Sequence, residues 1–281
     1  MGKSFSPLRY PGGKTKIYEK VKNLIIDNNF GNRMYVEPFA GGFGIGIGLL
    51  SEGIVSSAIL NDFDSHIYHF WDAVLNNTEN LLRLINDTPI TLEERAHQKQ
   101  NYKDIDVDPL TDGFATLFLN RVNFSGVIKG GPIGGLKQSG DYKIDCRFNK
   151  EDVKKKIERV ANLRNKIRLY NKDANYLIKM HLMKMKSPMF LNIDPPYVIK
   201  GSQLYTNFFT EGNHLDLQRV IAKYLDANYP WIVTYDDCQF VKNLYQDYHM
   251  QEYHITHNAG GTVHGKEIVI TNLPTDKFHW D

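Results

Sequence analysis

The stretch that most restricts the fold is short. Met189-Phe190-Leu191-Asn192-Ile193 follows Ser187-Pro188 and is closed at once by Asp194-Pro195-Pro196-Tyr197. A largely apolar run of that length between turn signals predicts a buried strand. In open α/β sheets, ligands bind at the carboxyl ends of the strands. The two prolines fix φ and donate no hydrogen bond, so the carbonyls between Asp194 and Tyr197 are stiff and open to accept. The pattern predicts a rigid acceptor platform beside a flat ring, suited to an exocyclic amino group on a planar ring. The same four residues also fit an ordinary turn with Tyr197 packed on its rim.

The rest of the chain offers room for such a sheet. It has 281 residues, of which 42% are hydrophobic and 23% charged, the balance of a globular protein with one large domain or a domain carrying an insertion. No apolar run is long enough for a bilayer, and the N-terminus has no signal-peptide core, so a cytoplasmic setting is expected. Cys146 and Cys238 lie far apart, and His254, His257 and His264 lack partners, so no metal is expected. Net charge is only +2. The segment from Arg147 to Lys172 is locally basic, which fits a phosphate-facing surface or the solvated face of a helix.

In order along the chain, Pro11-Gly12-Gly13 signals a turn and Lys14 opens an amphipathic helix through Ile17, Val21, Leu24 and Ile25. Met34 to Glu37 predicts the first strand. Pro38 to Gly44 forms a glycine-rich turn, and Ile45 to Leu50 a helix. Strand, turn and helix make a nucleotide-type cradle, with backbone close to the ligand and a helix N-terminus facing it. Ser57 to Leu60 predicts the second strand. Asp62 at its end, roughly twenty residues past the turn, suits a ribose-hydroxyl ligand; it also suits the N-cap of the helix through Ile67, Phe70, Trp71 and Val74.

Between about Asn76 and Asn149 the α/β rhythm stops. Helices are predicted around Leu81 to Ile85, after Thr91, and from Phe114 to Leu119, with a loop over Asp104 to Asp112. Asn120 to Lys137 is glycine-rich and basic and predicts a β-hairpin, an element able to enter a major groove. Phe124 there is either a wedge or core. The α/β pattern resumes with a strand over Ile167 to Tyr170. Asp173 beyond it is a cofactor contact or a helix cap. Val198 to Phe209, with Gly201, Tyr205 and Phe208, is long enough for a lid. Pro230 to Tyr235 predicts a strand, with Asp236-Asp237 as a helix N-cap before Phe240. His214 is assigned a helix start and no chemistry. Glu252 to Ile255 and Glu267 to Asn272 close the sheet.

Arg9-Tyr10-Pro11-Gly12-Gly13-Lys14, Glu37-Pro38-Phe39-Ala40-Gly41-Gly42, Asn61-Asp62, Asn120 to Gly126 and Asp194 to Tyr197 resemble, in this order, the motifs of Dam-like DNA adenine-N6 methyltransferases of the D12 class, alpha group. Glu267 to Asn272 is similar to their C-terminal end. The resemblance spans almost the whole chain and departs at Phe43, where a further glycine is common. It implies an α/β, Rossmann-like S-adenosyl-L-methionine-dependent domain (residues 1–75 and 150–281) interrupted by a helical plus β-hairpin target-recognition domain (76–149). It implies donor contacts from Tyr10, Lys14, Glu37, Phe39, Ala40, Gly41, Gly42, Asp62, Phe63, Asp173 and Asp194. Catalysis falls to Asp194, Pro195, Pro196 and Tyr197. DNA contacts are implied for Arg9, Arg121, Asn123, Phe124, Ser125, Lys129 and Lys137. The implied partner is double-stranded DNA, with no membrane and no metal, in a monomer of a prokaryote or phage that is either solitary or accompanied by a restriction enzyme. Other acceptors on this platform are cytosine N4, an RNA base or a protein amide, usually with Asn or Ser before Pro-Pro. An inactive DNA-binding relative is a third reading.

Overall fold

The computed structural model describes residues 4–9, 17–199, 209–257 and 263–280. The chain divides into two compact units. One gathers residues 64–165 with the segment at residues 4–9; the other gathers residues 17–63 and those from 166 onward.

The second unit holds a seven-stranded sheet. Its strands are β1 (Met34–Glu37), β2 (Ala58–Asn61), β3 (Ile167–Tyr170), β4 (Met189–Ile193), β5 (Trp231–Asp236), β6 (His249–His257) and β7 (Val263–Thr271). The order is β3-β2-β1-β4-β5-β7-β6. The first five are parallel, and β7 runs antiparallel between β5 and β6. Strands β1, β2, β4 and β5 are buried along their full length, which is why they read as unbroken apolar runs rather than alternating ones. Chain order reverses between β1 and β4, paired through Val36 and Leu191. That is the switch point at which open sheets of this kind hold ligands. Helix α1 (Tyr18–Asp27) buries Val21, Leu24 and Ile25, and α2 (Gly44–Ser51) leaves the glycine turn.

The first unit is helical: α3 (Ser65–Asn76), α4 (Thr78–Asp87), α5 (Leu92–Asn101), α6 (Pro109–Val122) and α7 (Lys150–Ala161). Helix α6 starts at Pro109, inside the expected loop, because Asp108 caps the N–H groups of Leu110 and Thr111 and proline suits the first helical position. Gly113 lets α6 approach α3, since a Cβ there would lie 2.6 Å from the His69 carbonyl oxygen. Asp112, on the same helix, accepts from Nδ1 of His66 and Nδ1 of His69, each at 2.7 Å.

Two expectations are corrected. The unit boundaries fall near Asp64 and Asn165, not at 76 and 149, so α3 and α7 pack with the helical unit. The expected hairpin is a curled turn: among the described residues its strand-like pairing is one bridge, Asn123 to Pro132. Asn123 explains the curl, because its side-chain amide donates to the carbonyls of Val127 and Ile128 and turns the backbone on itself. Returning to the sheet unit, α8 (Ala174–Met180), α9 (Glu211–Val220) and α10 (Gln239–Leu244) complete the fold. Leu177 and Ile178 of α8 and Leu217 and Val220 of α9 pack into the same core as Leu191 and Val233.

Candidate active site

Four loops leave the carboxyl ends of β1, β2, β3 and β4, and side chains tie the first three together. The Ala40 N–H donates to Asn61 O at 2.9 Å. Gly41, at φ +46°, donates its N–H to Asp62 Oδ2 at 2.8 Å. The buried Asn61 amide donates to Pro38 O and Lys172 O and accepts from the Lys172 N–H. Asn171 donates to the carbonyls of Asp62 and Phe63. These two asparagines therefore fix the loops after β1, β2 and β3 relative to one another. In the sequence Asn61 enters only as part of the Asn61-Asp62 motif and Asn171 has no role, because an Asn at a strand end signals only a turn.

Helix α2 begins without a side-chain cap of its own, because its N-cap residue is Phe43. Glu37 supplies the missing acceptor: its Oε1 takes the Gly46 N–H at 3.2 Å and the Tyr35 hydroxyl at 2.8 Å. Asn192 in turn donates to the Tyr35 oxygen at 2.8 Å. A carboxylate near a helix N-terminus is favoured by the helix dipole as well. Phe43 explains the departure from a glycine-rich pattern. It takes the left-handed conformation, φ +47°, that a glycine would adopt easily. Its ring is buried over Gly46, where a Cβ would come within 2.3 Å of it.

Asp62 is not the cap of α3; that role belongs to Asp64, whose side chain accepts from the His66 N–H. Phe63 beside it is 61% exposed. Asp173 caps α8 through the Tyr176 N–H. Phe39 meets Phe209 edge-on at 5.7 Å. Tyr10 and Lys14 lie outside the described residues, as does 200–208 of the expected lid.

The platform after β4 is mounted on its neighbours. Thr234 Oγ1 donates to Asp194 Oδ1 at 2.7 Å. The Tyr197 hydroxyl donates to Glu267 Oε2 at 2.7 Å, and Tyr197 is buried, 7% exposed. The N–H groups of Val198 and Ile199 donate to the two oxygens of Asp236, at 3.0 and 2.7 Å. Asp236 is thus a loop anchor rather than a helix cap. The N-cap position of α10 is Cys238, and Asp237 pairs with Lys242 at 2.7 Å. His214 is buried, with Nδ1 2.9 Å from the Tyr235 hydroxyl; burial pushes its pKa below the usual imidazole value.

A glycine turn tied to an acidic strand end, across the switch point from Asp-Pro-Pro-Tyr, is the arrangement that the resemblance to amino-methyltransferases implies. Residues 10–258 match the family described as D12 class N6 adenine-specific DNA methyltransferase. The chain belongs to that family. It is 24% identical to the Type II methyltransferase M1.LlaDCHI of Lactococcus lactis subsp. cremoris, over 94% of each chain. It is also 24% identical to the Type II methyltransferase M.MjaIII of Methanocaldococcus jannaschii, over 77% of this chain and 78% of that one. Among solved structures, the rRNA methyltransferase aviRa of Streptomyces viridochromogenes aligns with a TM-score of 0.41 at 11% identity, covering 94% of this chain and 87% of that one.

In this D12 methyltransferase, the residues implied for DNA contact divide into two sets. Arg121 and Asn123, expected at the surface, are buried in the helical unit. Arg121 is 8% exposed, donates to Pro7 O, and its guanidinium is pushed down to about 10 by burial and then by Arg9. Asn123 holds Arg95 as well as the turn. Arg9, half-buried, donates to the carbonyls of Arg121 and Asn123. Asn120 pairs with the backbone of Arg9 in both directions, which joins the N-terminal segment to the turn. Phe124 (56% exposed), Lys129 and Lys137 face solvent, and Ser125 is half-buried at φ +55°. The motif residues thus build the turn, and the residues between and after them are presented by it. Among the described residues no helix is long and apolar enough to cross a membrane, and no group of three or more His, Cys, Asp and Glu is placed to hold a metal ion.

Proposed function

We propose that this methyltransferase uses S-adenosyl-L-methionine to methylate N6 of an adenine turned out of duplex DNA at a specific sequence, with chemistry at Asp194 to Tyr197. The observation that carries the site assignment is the Thr234-to-Asp194 hydrogen bond together with the fixed Tyr197 hydroxyl, across the switch point from the glycine turn. The strand ends fit the donor: a backbone-lined turn with Gly41 at positive φ, a carboxylate at Asp62, and the exposed ring of Phe63. Asp62 would accept from the ribose hydroxyls, Phe63 would cover the donor's adenine, and Phe39 to Gly42 would line its backbone side. When bound, the donor supplies a methyl group on a positively charged sulfur.

A base inside the stack is out of reach, so the adenine must be extruded. Tyr197 then lies on its face. Asp194 and the Pro195 carbonyl accept the two N6–H bonds, which aims the nitrogen lone pair away from the platform. Proline supplies no competing donor there. Holding two reactants in line provides much of the acceleration in such a transfer. Phe124, Ser125, Lys129, Lys137 and Arg9 serve DNA contact, with the exposed Phe124 ring presented where the turn leaves α6. The relatives' names place them with Type II systems, and we extend that context here: a monomer protecting host DNA against a companion restriction enzyme. Asp194→Ala should abolish transfer while leaving much of the DNA binding, measured by fluorescence anisotropy, in place. An active Asp194→Ala protein would remove the assignment.

A further inference from the structure

We propose that Glu267 is a positioning residue for transfer, one that acts by clamping the hydroxyl of Tyr197 and so the plane of the ring under the acceptor base. This rests on the platform assigned above. Glu267 is fully buried, in the middle of β7. A carboxylate there must be offset by hydrogen bonds, because burying it unpaired is strongly unfavourable. Its Oε2 receives two hydroxyls, Tyr197 at 2.7 Å and Tyr253 at 2.9 Å. Strand register explains the convergence. Tyr253 of β6 and Asp236 of β5 are both direct cross-strand partners of Glu267. Thr234 lies two residues from Asp236 on β5, so all four side chains share one face of the sheet.

That face carries three attachments to a single six-residue loop. Thr234 takes its first residue, Asp194; Glu267 takes Tyr197; Asp236 takes the N–H groups of Val198 and Ile199. An apolar residue at position 267 would fill the sheet equally well, but would leave the ring free to tilt. Tyr253 supports the clamp from behind. Burial first, and Glu267 second, hold its own pKa well above the usual phenol value, so it remains a donor at all working pH values.

The test is a double-mutant cycle with Glu267→Gln and Tyr197→Phe, reading kcat and KM separately on duplex DNA. Donor affinity, melting temperature and 2-aminopurine fluorescence at the target base are measured alongside. Wild-type transfer to adenine is the control for the platform itself; its absence would refute that reading and not the clamp. Given wild-type activity, each single variant should lower kcat about ten-fold, as expected for one hydrogen bond to a charged group. Donor affinity should stay near wild type, and the melting temperature should fall by only a few degrees, as expected for one buried hydrogen bond. The double variant should be no slower than the slower single. Glu267→Asp should not restore the rate, because its shorter side chain withdraws the oxygen. Additive losses, or a Glu267→Gln enzyme with wild-type kcat, would overturn the proposal. If Glu267→Gln fails to fold, Tyr253→Phe is the second probe: it leaves the Tyr197 bond in place and should cost less in kcat than Tyr197→Phe, and an equal or greater loss would overturn the clamp.

Discussion

Thr234→Val isolates one hydrogen bond at Asp194, the carboxylate proposed to accept from N6. Thr234 is fully buried, and its hydroxyl donates to Asp194 Oδ1 at 2.7 Å. Valine keeps the branched shape and the strand preference and removes only that donor. A hydrogen bond to a charged group is worth about 1.5–3 kcal/mol. If its loss is felt fully in the transition state, kcat falls about 10- to 150-fold, at roughly 1.4 kcal/mol per factor of ten. Donor and DNA affinities should change little, since Thr234 is fully buried beneath the platform. Thr234→Ser separates the hydroxyl from the packing. It should retain most of the rate and lose about 1 kcal/mol of stability for a buried methyl group. The assay is single-turnover methyl transfer at saturating donor and DNA, with thermal denaturation of each variant. A Thr234→Val enzyme with wild-type kcat would refute the claim that Asp194 works only when its carboxylate is held.

Gly46→Ala should destabilise the protein by about 1–3 kcal/mol and weaken donor binding, because the new Cβ overlaps the Phe43 ring at 2.3 Å; calorimetry measures both. Asn123→Ala should cost about 1–3 kcal/mol of stability by leaving buried partners unsatisfied, whereas Lys129→Ala should leave the melting temperature alone and reduce the salt slope of DNA binding by about one. The hydrogen bond to Asp112 holds the pKa of His66 above its ordinary value, against burial and Lys129. A raised folded pKa means that this stabilisation is present at pH below about 6.5 and fades as pH rises through the folded value. Melting temperature should therefore decline over that range, and His66→Gln should flatten the profile.

The sheet was legible because each of its central strands is buried on both faces and so forms a short apolar run between turn signals. The platform and the glycine turn were legible because Pro, Gly and Asp are constrained at strand ends. The anchors beneath them were not. Thr234, Asp236 and Glu267 meet the 194–199 loop only through sheet register, which brings together residues about 40 to 70 positions apart. A pair of aspartates before a helix reads locally as a cap, yet Asp236 faces the loop and the cap position falls to Cys238. The hairpin failed for a similar reason: Asn123 satisfies carbonyls that a strand partner would otherwise take. Amphipathic periodicity shows which face of α3 and α7 is buried, but not which unit buries it, so the boundary was placed one helix too late at one end and one helix too early at the other.

The most direct test of the central claim is the nucleoside product formed when the purified protein, S-adenosyl-L-methionine carrying a labelled methyl group, and mixed-sequence duplex DNA are incubated together and the DNA is then digested. The label should be found in N6-methyladenine and at one sequence context. Label in N4-methylcytosine, or none in DNA while the donor is bound, would contradict it.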